Sequence, residues 1–394
     1  MDKLDVSKEI REFKNQLAYS KNIGFFFGAG TSCALNIPDI AALTLKIEEA
    51  LTGDLLTKFQ IIRDDLKTSI ENVNIEDILN QIRRIREITK EQKAKEFMTV
   101  NGEMATALDK QICNSIYEII GKSEEKADLT TPQKFFAWLD ILNKEYSKEI
   151  FTTNYDLIVE KALEASEIPY FDGFVGAYEP FFWQESIDQL VGQHDITKNW
   201  IRLWKIHGSL SWFWKQESNG SQKIIRVGKF DKTSHTDREL VIYPSKEKYD
   251  SSRKQPFIAY FDRLKNYLLS GELLFIFTGY SFSDQHINEI IFNCLRQNKR
   301  LFCVVLFYKD SEVDALQKMA SSHMNLNVFG PTKAIVNGTL YSWDFKKDGK
   351  YENENSETYF DETNNKLRLG DFNKLVTFLI THSGKSELLE TAKK

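Results

Sequence analysis

Two runs of this chain, Leu273 to Thr278 and Leu301 to Phe307, are apolar at almost every position rather than at every second one. A strand with one wet face alternates, whereas a strand covered on both faces does not. Helical spacing precedes the first run, from Phe257 to Leu269, and separates the two, from Ile287 to Arg296. A third run of the same kind, Ile23 to Phe27, follows a helical pattern from Val6 to Tyr19. Strand character also marks Glu149 to Thr153, Ile201 to Ile206 and Leu240 to Tyr243. Covered strands separated by helices predict an α/β fold, a Rossmann-like parallel sheet with helices on both faces. With 394 residues, 42% of them apolar, the chain has enough material for one large domain with an insertion, or for two domains.

From about Gly53 to Lys148 strand signals almost vanish. Ile75, Ile78, Leu79, Ile82 and Ile85 recur at three and four, as do Leu108, Ile112, Ile116 and Ile119. This predicts an inserted helical subdomain at about 53–148 within a domain spanning 1–330. An extension, 331–394, would then hold a short strand, a polar loop at 346–366, a helix from Phe372 to Thr381 and a frayed tail. A second helix is expected from Pro38-Asp39. The net charge of -5 is that of a mildly acidic soluble chain and argues against one built to grip polyphosphate. The basic run Arg83-Arg84-Arg86 is interrupted by Glu87 and reads as a solvated helix face, so direct nucleic-acid binding is not expected. Cys33, Cys113, Cys294 and Cys303 form no C-x-x-C pair, and Met1 to Asp5 carries charges where a secretory signal would be apolar. A cytoplasmic location without a membrane span is the expectation. The aromatics Trp204, Trp212, Phe213, Trp214 and Phe181-Phe182-Trp183 read as core.

In a doubly wound sheet, ligands bind beyond the carboxyl ends of the strands. Four polar strand ends stand out. Gly28-Ala29-Gly30-Thr31-Ser32 follows the first strand, a glycine turn suited to a diphosphate because it offers close backbone approach and free N–H groups. Thr152-Thr153-Asn154-Tyr155-Asp156, His207-Gly208-Ser209 and Gly279-Tyr280-Ser281-Phe282-Ser283-Asp284 follow three others. Each has a plain alternative. Asn154 or Asp156 suits a helix N-cap, Ser281 and Asp284 suit the cap of the next helix, and His207 suits a structural histidine. No G-x-S-x-G elbow is present, and His194, His207 and His286 have no metal-ligand spacing.

Taken in order, these motifs resemble the sirtuin superfamily. Gly28 to Ser32 with Ile37-Pro38-Asp39 is similar to its opening motif, Thr152 to Asp156 to Thr-Gln-Asn-Ile-Asp, Ile206-His207-Gly208 to its His-Gly, and Gly279-Tyr280-Ser281 to its late Gly-Ser. Two features depart from the deacylases. No cysteine lies between His207 and Ser281, so no four-thiolate zinc ribbon can form there, and Ile40-Ala41 stand where an Arg usually follows. The late motif, with Tyr243-Pro244-Ser245-Lys246 upstream, resembles instead the sirtuin-like domains of prokaryotic antiphage defence.

That resemblance implies hydrolysis of NAD+ at the nicotinamide–ribose bond, with NAD as substrate and no metal. Asn154 and His207 would be catalytic. Gly28, Ala29, Gly30, Thr31, Ser32, Asp39, Thr153, Asp156, Gly279, Ser281 and Asp284 would bind the dinucleotide. An alternative is an NAD or ADP-ribose sensor without turnover, and a third reading is an NAD-dependent protein deacylase. Control by homo-oligomerisation or by a HerA-type ATPase partner is the expectation that goes with the first.

Overall fold

The computed structural model describes residues 2–142, 146–188, 199–218, 220–228, 240–242, 255–346 and 355–382. The motif Tyr243 to Lys246, His194 and the tail beyond 382 lie outside these. In chain order the strands are β1 Asp2–Asp5, β2 Ile23–Phe27, β3 Glu96–Phe97, β4 Val100–Asn101, β5 Glu149–Thr152, β6 Tyr170–Phe171, β7 Phe174–Val175, β8 Phe181–Phe182, β9 Ile201–Lys205 and β10 Gly208–Gln216. They continue with β11 Gln222–Arg226, β12 Leu240–Ile242, β13 Leu273–Thr278, β14 Leu301–Leu306, β15 Leu326–Phe329, β16 Lys333–Val336, β17 Thr339–Asp344, β18 Phe360–Asp361 and β19 Lys366–Leu367. The helices are α1 Val6–Tyr19, α2 Ala29–Cys33, α3 Ile40–Ala50, α4 Gly53–Leu66, α5 Ile75–Thr89, α6 Gly102–Glu124 and α7 Thr130–Ile141. Then follow α8 Ile158–Ala165, α9 Glu185–Asp188, α10 Phe257–Leu268, α11 Gln285–Gln297, α12 Asp310–Ala320 and α13 Phe372–Thr381.

The main sheet runs β1-β17-β16-β15-β14-β13-β2-β5-β9-β6. From β15 to β6 every pairing is parallel. Its strands are apolar on both faces because both are covered. Phe25 and Phe27 of β2 pack with α1, α7, α8 and α13, while Phe26 packs on the other side with α10, α11 and α12. Gly24 shares that second side and has no room for a side chain, since a Cβ there would lie 2.5 Å from the Tyr267 ring. The order reverses between β2 and β13: the chain steps outward through β5 and β9 on one side and through β14 and β15 on the other. That reversal opens a crevice at the carboxyl ends of β2, β5, β9 and β13.

Four expectations need correction. The sheet is not parallel throughout, because β15-β16-β17 turn back as an antiparallel meander. The charged start of the chain forms β1 and pairs in parallel with β17. Leu240 to Ile242 leaves the parallel sheet and joins a second, antiparallel one ordered β12-β10-β11-β8-β7. The helical stretch also contains a short hairpin, β3-β4. β1 and β12 find their partners elsewhere in the chain, so local pattern carries no trace of those pairings, whereas β15-β16-β17 and β3-β4 are hairpins between neighbours.

The helices expected at 53–148 divide between two cores. α4, α5 and α6 share a module core with α3 and with Leu35 and Ile37. α7 instead covers the main sheet with Phe135, Phe136 and Trp138. The smaller sheet separates module from main core. Trp212 and Ile224 face the main core, and their neighbours Phe213 and Ile225 face the helical module. Residues after 330 also enter the main body, through β16, β17 and α13. Among the described residues no helix is long and apolar enough to cross a membrane.

Arg83 and Arg86 are not a solvated pair. Both bind the buried Asp109 of α6, Arg83 Nε at 3.2 Å from Oδ2 and Arg86 through Nη1. Burial pushes the Asp109 carboxyl up, but the two guanidinium groups outweigh it and hold it below the usual carboxylate range. Of the aromatics read as core, Trp204, Trp212 and Phe213 are buried, while Phe181 and Trp183 are exposed.

Candidate functional site

At the reversal two glycine turns interlock. A Cβ on Gly28 would sit 2.3 Å from the Gly279 carbonyl oxygen, and one on Gly279 would sit 2.5 Å from Thr31 N. Gly279 also has φ +65°, a conformation that favours glycine. Gly30 N–H donates to Gly279 O at 2.9 Å and Thr31 N–H to Gly28 O at 3.1 Å. Those two N–H groups, expected free for a ligand, are therefore engaged in holding one turn against the other.

Asn154, just after β5, completes the knot. Its Nδ2 donates toward Gly28 O (3.1 Å), Thr31 Oγ1 (3.1 Å) and Ser32 Oγ (2.9 Å). With the amide nitrogen turned inward, the amide oxygen is left as an acceptor. The Ser32 hydroxyl donates in turn to Asp156 Oδ2 at 2.7 Å, and Asp156 Oδ1 accepts from Ile158 N at 3.2 Å. The loop carrying Asn154 is fastened from two sides. Lys205, fully buried at the end of β9, donates to Asp156 O and pairs with Glu160 Oε1 at 2.8 Å. Glu124 of α6 accepts from Leu157 N at 2.8 Å.

His207 follows β9 and is 6% exposed, and its Nε2 lies 3.1 Å from Asp284 Oδ2. Asp284 is also the cap of α11, its Oδ1 accepting from His286 N at 2.9 Å and Ile287 N at 3.2 Å. Asp284 thus caps α11 with one oxygen and faces the His207 ring with the other. A capped helix start is a rigid mount, so it fixes the imidazole.

These groups line one cavity of about 1170 Å³. Ala29, Gly30, Ser32, Asp39, Thr153, Asn154, Asp156, His207, Gly279, Ser281 and Asp284 are on its wall. Gly28 and Thr31 are behind that wall, in the knot. Asp39 caps α3 through Ala42 N at 2.8 Å. Wall residues outside the sequence reading include Lys309, Glu76 and Tyr155. Lys309 brings a cation after β14, and Glu76 and Tyr155 face the cavity beside His207. Tyr155 stood within a motif whose neighbours took the attention, while Glu76 lies on a helix with no motif at all. Burial pushes the Glu76 carboxyl up and the imidazole of His207 pulls it back, leaving it above the ordinary range. Burial and Glu76 together keep the Tyr155 hydroxyl protonated, and it donates to Glu76 Oε1. Among the described residues no group of three or more His, Cys, Asp and Glu is placed to hold a metal ion.

The fold and cavity define a doubly wound α/β protein with its site at the topological switch point. A family model described as SIR2-like domain matches residues 148–328. Solved structures similar to it include a Sir2 homologue in complex with NAD, 14% identical, with 77% of this chain and 84% of that one covered at a TM-score of 0.38. Another is a mutant Sir2 homologue in complex with 2′-O-acetyl ADP ribose, 13% identical, covering 75% and 83% at a TM-score of 0.36. No curated protein matches the sequence.

Proposed function

We propose that the chain is an NAD+ glycohydrolase, cleaving the nicotinamide–ribose bond to nicotinamide and ADP-ribose. The observation that carries this reading is the convergence of Asn154 and His207 on one cavity at the switch point of a sirtuin-like domain. In the reaction, positive charge grows on the ribose as neutral nicotinamide leaves, and water adds to the opposite face at C1′. The Asn154 amide oxygen orients that water or a ribose hydroxyl. His207, steadied by Asp284, takes the proton as general base. The glycine turn, Thr153 and Ser281 hold the dinucleotide, Asp156 contacts the carboxamide, and Lys309 meets the diphosphate. The cavity exceeds the ~300–1,000 Å³ usual for small ligands, consistent with an extended dinucleotide.

Incubation of the purified protein with NAD+, with and without an acyl-lysine peptide, tests the reading by mass spectrometry. Nicotinamide plus ADP-ribose without peptide is the expected outcome. Peptide-dependent turnover makes the chain a deacylase, and binding without products makes it a sensor. Asn154→Ala and His207→Ala are each expected to lower turnover by at least about a hundredfold while remaining folded. Wild-type rates in either, properly folded, remove it from the mechanism.

The motif resemblance extends the proposal to a cytoplasmic NAD-depleting effector of antiphage defence. Such an activity needs restraint, and self-assembly or a HerA-type ATPase partner would supply it. Light scattering of the chain alone and of the mixture separates the two.

A further inference from the structure

Four of the seven carboxyl groups on the cavity wall are Asp156, Asp284, Asp77 and Glu76. Three of them are committed to the backbone. Asp156 accepts from Ile158 N, Asp284 from His286 N and Ile287 N, and Asp77 from Asn74 N. Glu76 has no backbone bond of this kind. Its Oε1 accepts from the Tyr155 hydroxyl, and the residue lines the cavity. Its mount is firm all the same. Asn74 caps α5 with a reciprocal bond to Asp77, and Ile75 N donates to Thr44 Oγ1 of α3 at 2.9 Å. A carboxyl group on the cavity wall is thus mounted on the first turn of a capped helix.

The dinucleotide proposed above has opposite charges at its reacting and diphosphate parts. Its nicotinamide ring is a cation until the glycosidic bond breaks, and its diphosphate is an anion. On the cavity wall Lys309 lies beyond β14, and Glu76 is close enough to His207 for the two to interact. We infer that Glu76 is the carboxylate that receives the cationic nicotinamide ring, so that the helical module, through α5, selects oxidised dinucleotide over the reduced form, whose ring is uncharged, and over ADP-ribose. This inference rests on the NAD+ reading above. At a half-buried site a carboxylate within contact of a pyridinium is worth at least about tenfold in affinity.

Calorimetry with carba-NAD, which keeps the pyridinium but resists cleavage, and with NADH and ADP-ribose tests this on wild type, Glu76→Gln and Tyr155→Phe. Glu87→Gln, the same change at the exposed far end of α5, is the control. Glu76→Gln is expected to weaken carba-NAD about tenfold and to leave NADH and ADP-ribose within about twofold. Tyr155→Phe should give a smaller loss of the same selectivity. Carba-NAD affinity of the wild type should rise with pH as the Glu76 carboxyl ionises, and that rise should be smaller in Glu76→Gln. The groups facing Glu76, namely His207, Asp284, Asp77 and Tyr155, remain in both proteins, so the contribution of Glu76 is read as the difference between the two slopes. Equal loss for all three ligands, or no loss, overturns the inference while the NAD+ reading stands. A wild type that binds none of the three overturns both.

Discussion

Asp284 divides its two oxygens between a helix cap and the His207 ring, and this division can be tested. Asparagine caps a helix as well as aspartate does. In Asp284→Asn the amide oxygen can keep the bonds to His286 N and Ile287 N, while an NH2 group replaces the acceptor facing Nε2. The ring would then be held in the other tautomer. Unfolding temperature is expected to stay within a few degrees of wild type, and NAD+ turnover to fall by about a hundredfold or more. A matching loss of stability would make Asp284 chiefly a cap. Ser32 is a second residue with two duties, accepting from Asn154 and donating to Asp156. Sequence alone offered cap or ligand contact as alternatives at such positions, because the pattern around a polar residue does not reveal how many of its atoms are engaged.

At the scale of elements, the smaller sheet sets where the helical module sits. Phe213, 2% exposed, pairs across strands with Ile225 and packs on Tyr117 of α6 at 6.2 Å between rings. Trp212, one residue earlier, packs the other way on Phe174 at 5.0 Å and Tyr260 at 5.7 Å. Strand alternation therefore makes β10 and β11 a shared wall between two cores. Phe213→Ala leaves a cavity on the module side and is expected to cost about 3 kcal/mol, read as a lower denaturant midpoint. Because α5 carries Glu76 and α6 carries Glu124, selectivity for carba-NAD over ADP-ribose should weaken along with stability. Stability lost with selectivity intact would mean that the module holds its place without this wall.

For the whole molecule, the two ends of the chain close the same face of the sheet. β1 pairs with β17, and Phe13 of α1 stacks on Phe378 of α13 at 6.1 Å. Glu9 lies in this closure, 3% exposed, and burial pushes its carboxyl from 4.5 to about 7, with Glu12 adding to the shift. Between these two values the folded state keeps a proton that the unfolded chain has released, so stability falls as pH rises through the window and stays reduced above it. The shift corresponds to roughly 3 kcal/mol. Glu9→Gln is expected to raise the melting temperature at pH 8 and to change it little at pH 4.5. A gain of equal size at both values would show that charge at Glu9 is not what the fold resists.

Much of the main sheet and of the site's polar set was determined by sequence alone. Unbroken apolar runs mark strands covered on both faces, and in such a sheet the polar residues after the strands must meet at one edge. Gly28 to Ser32, Asn154, His207 and Gly279 to Asp284 were legible for that reason. Periodicity, however, reports which side of an element is apolar, never what it lies against. The pairing of β1 with β17 and the wall that β10 and β11 make between two cores are choices among distant partners, decided by packing. Lys205 became buried only because Glu160 and the carbonyl of Asp156 came to meet it. Glu76 sits far along the chain from Tyr155 and His207, on a helix whose own pattern points only to its module. The fold alone carries its carboxyl into the cavity.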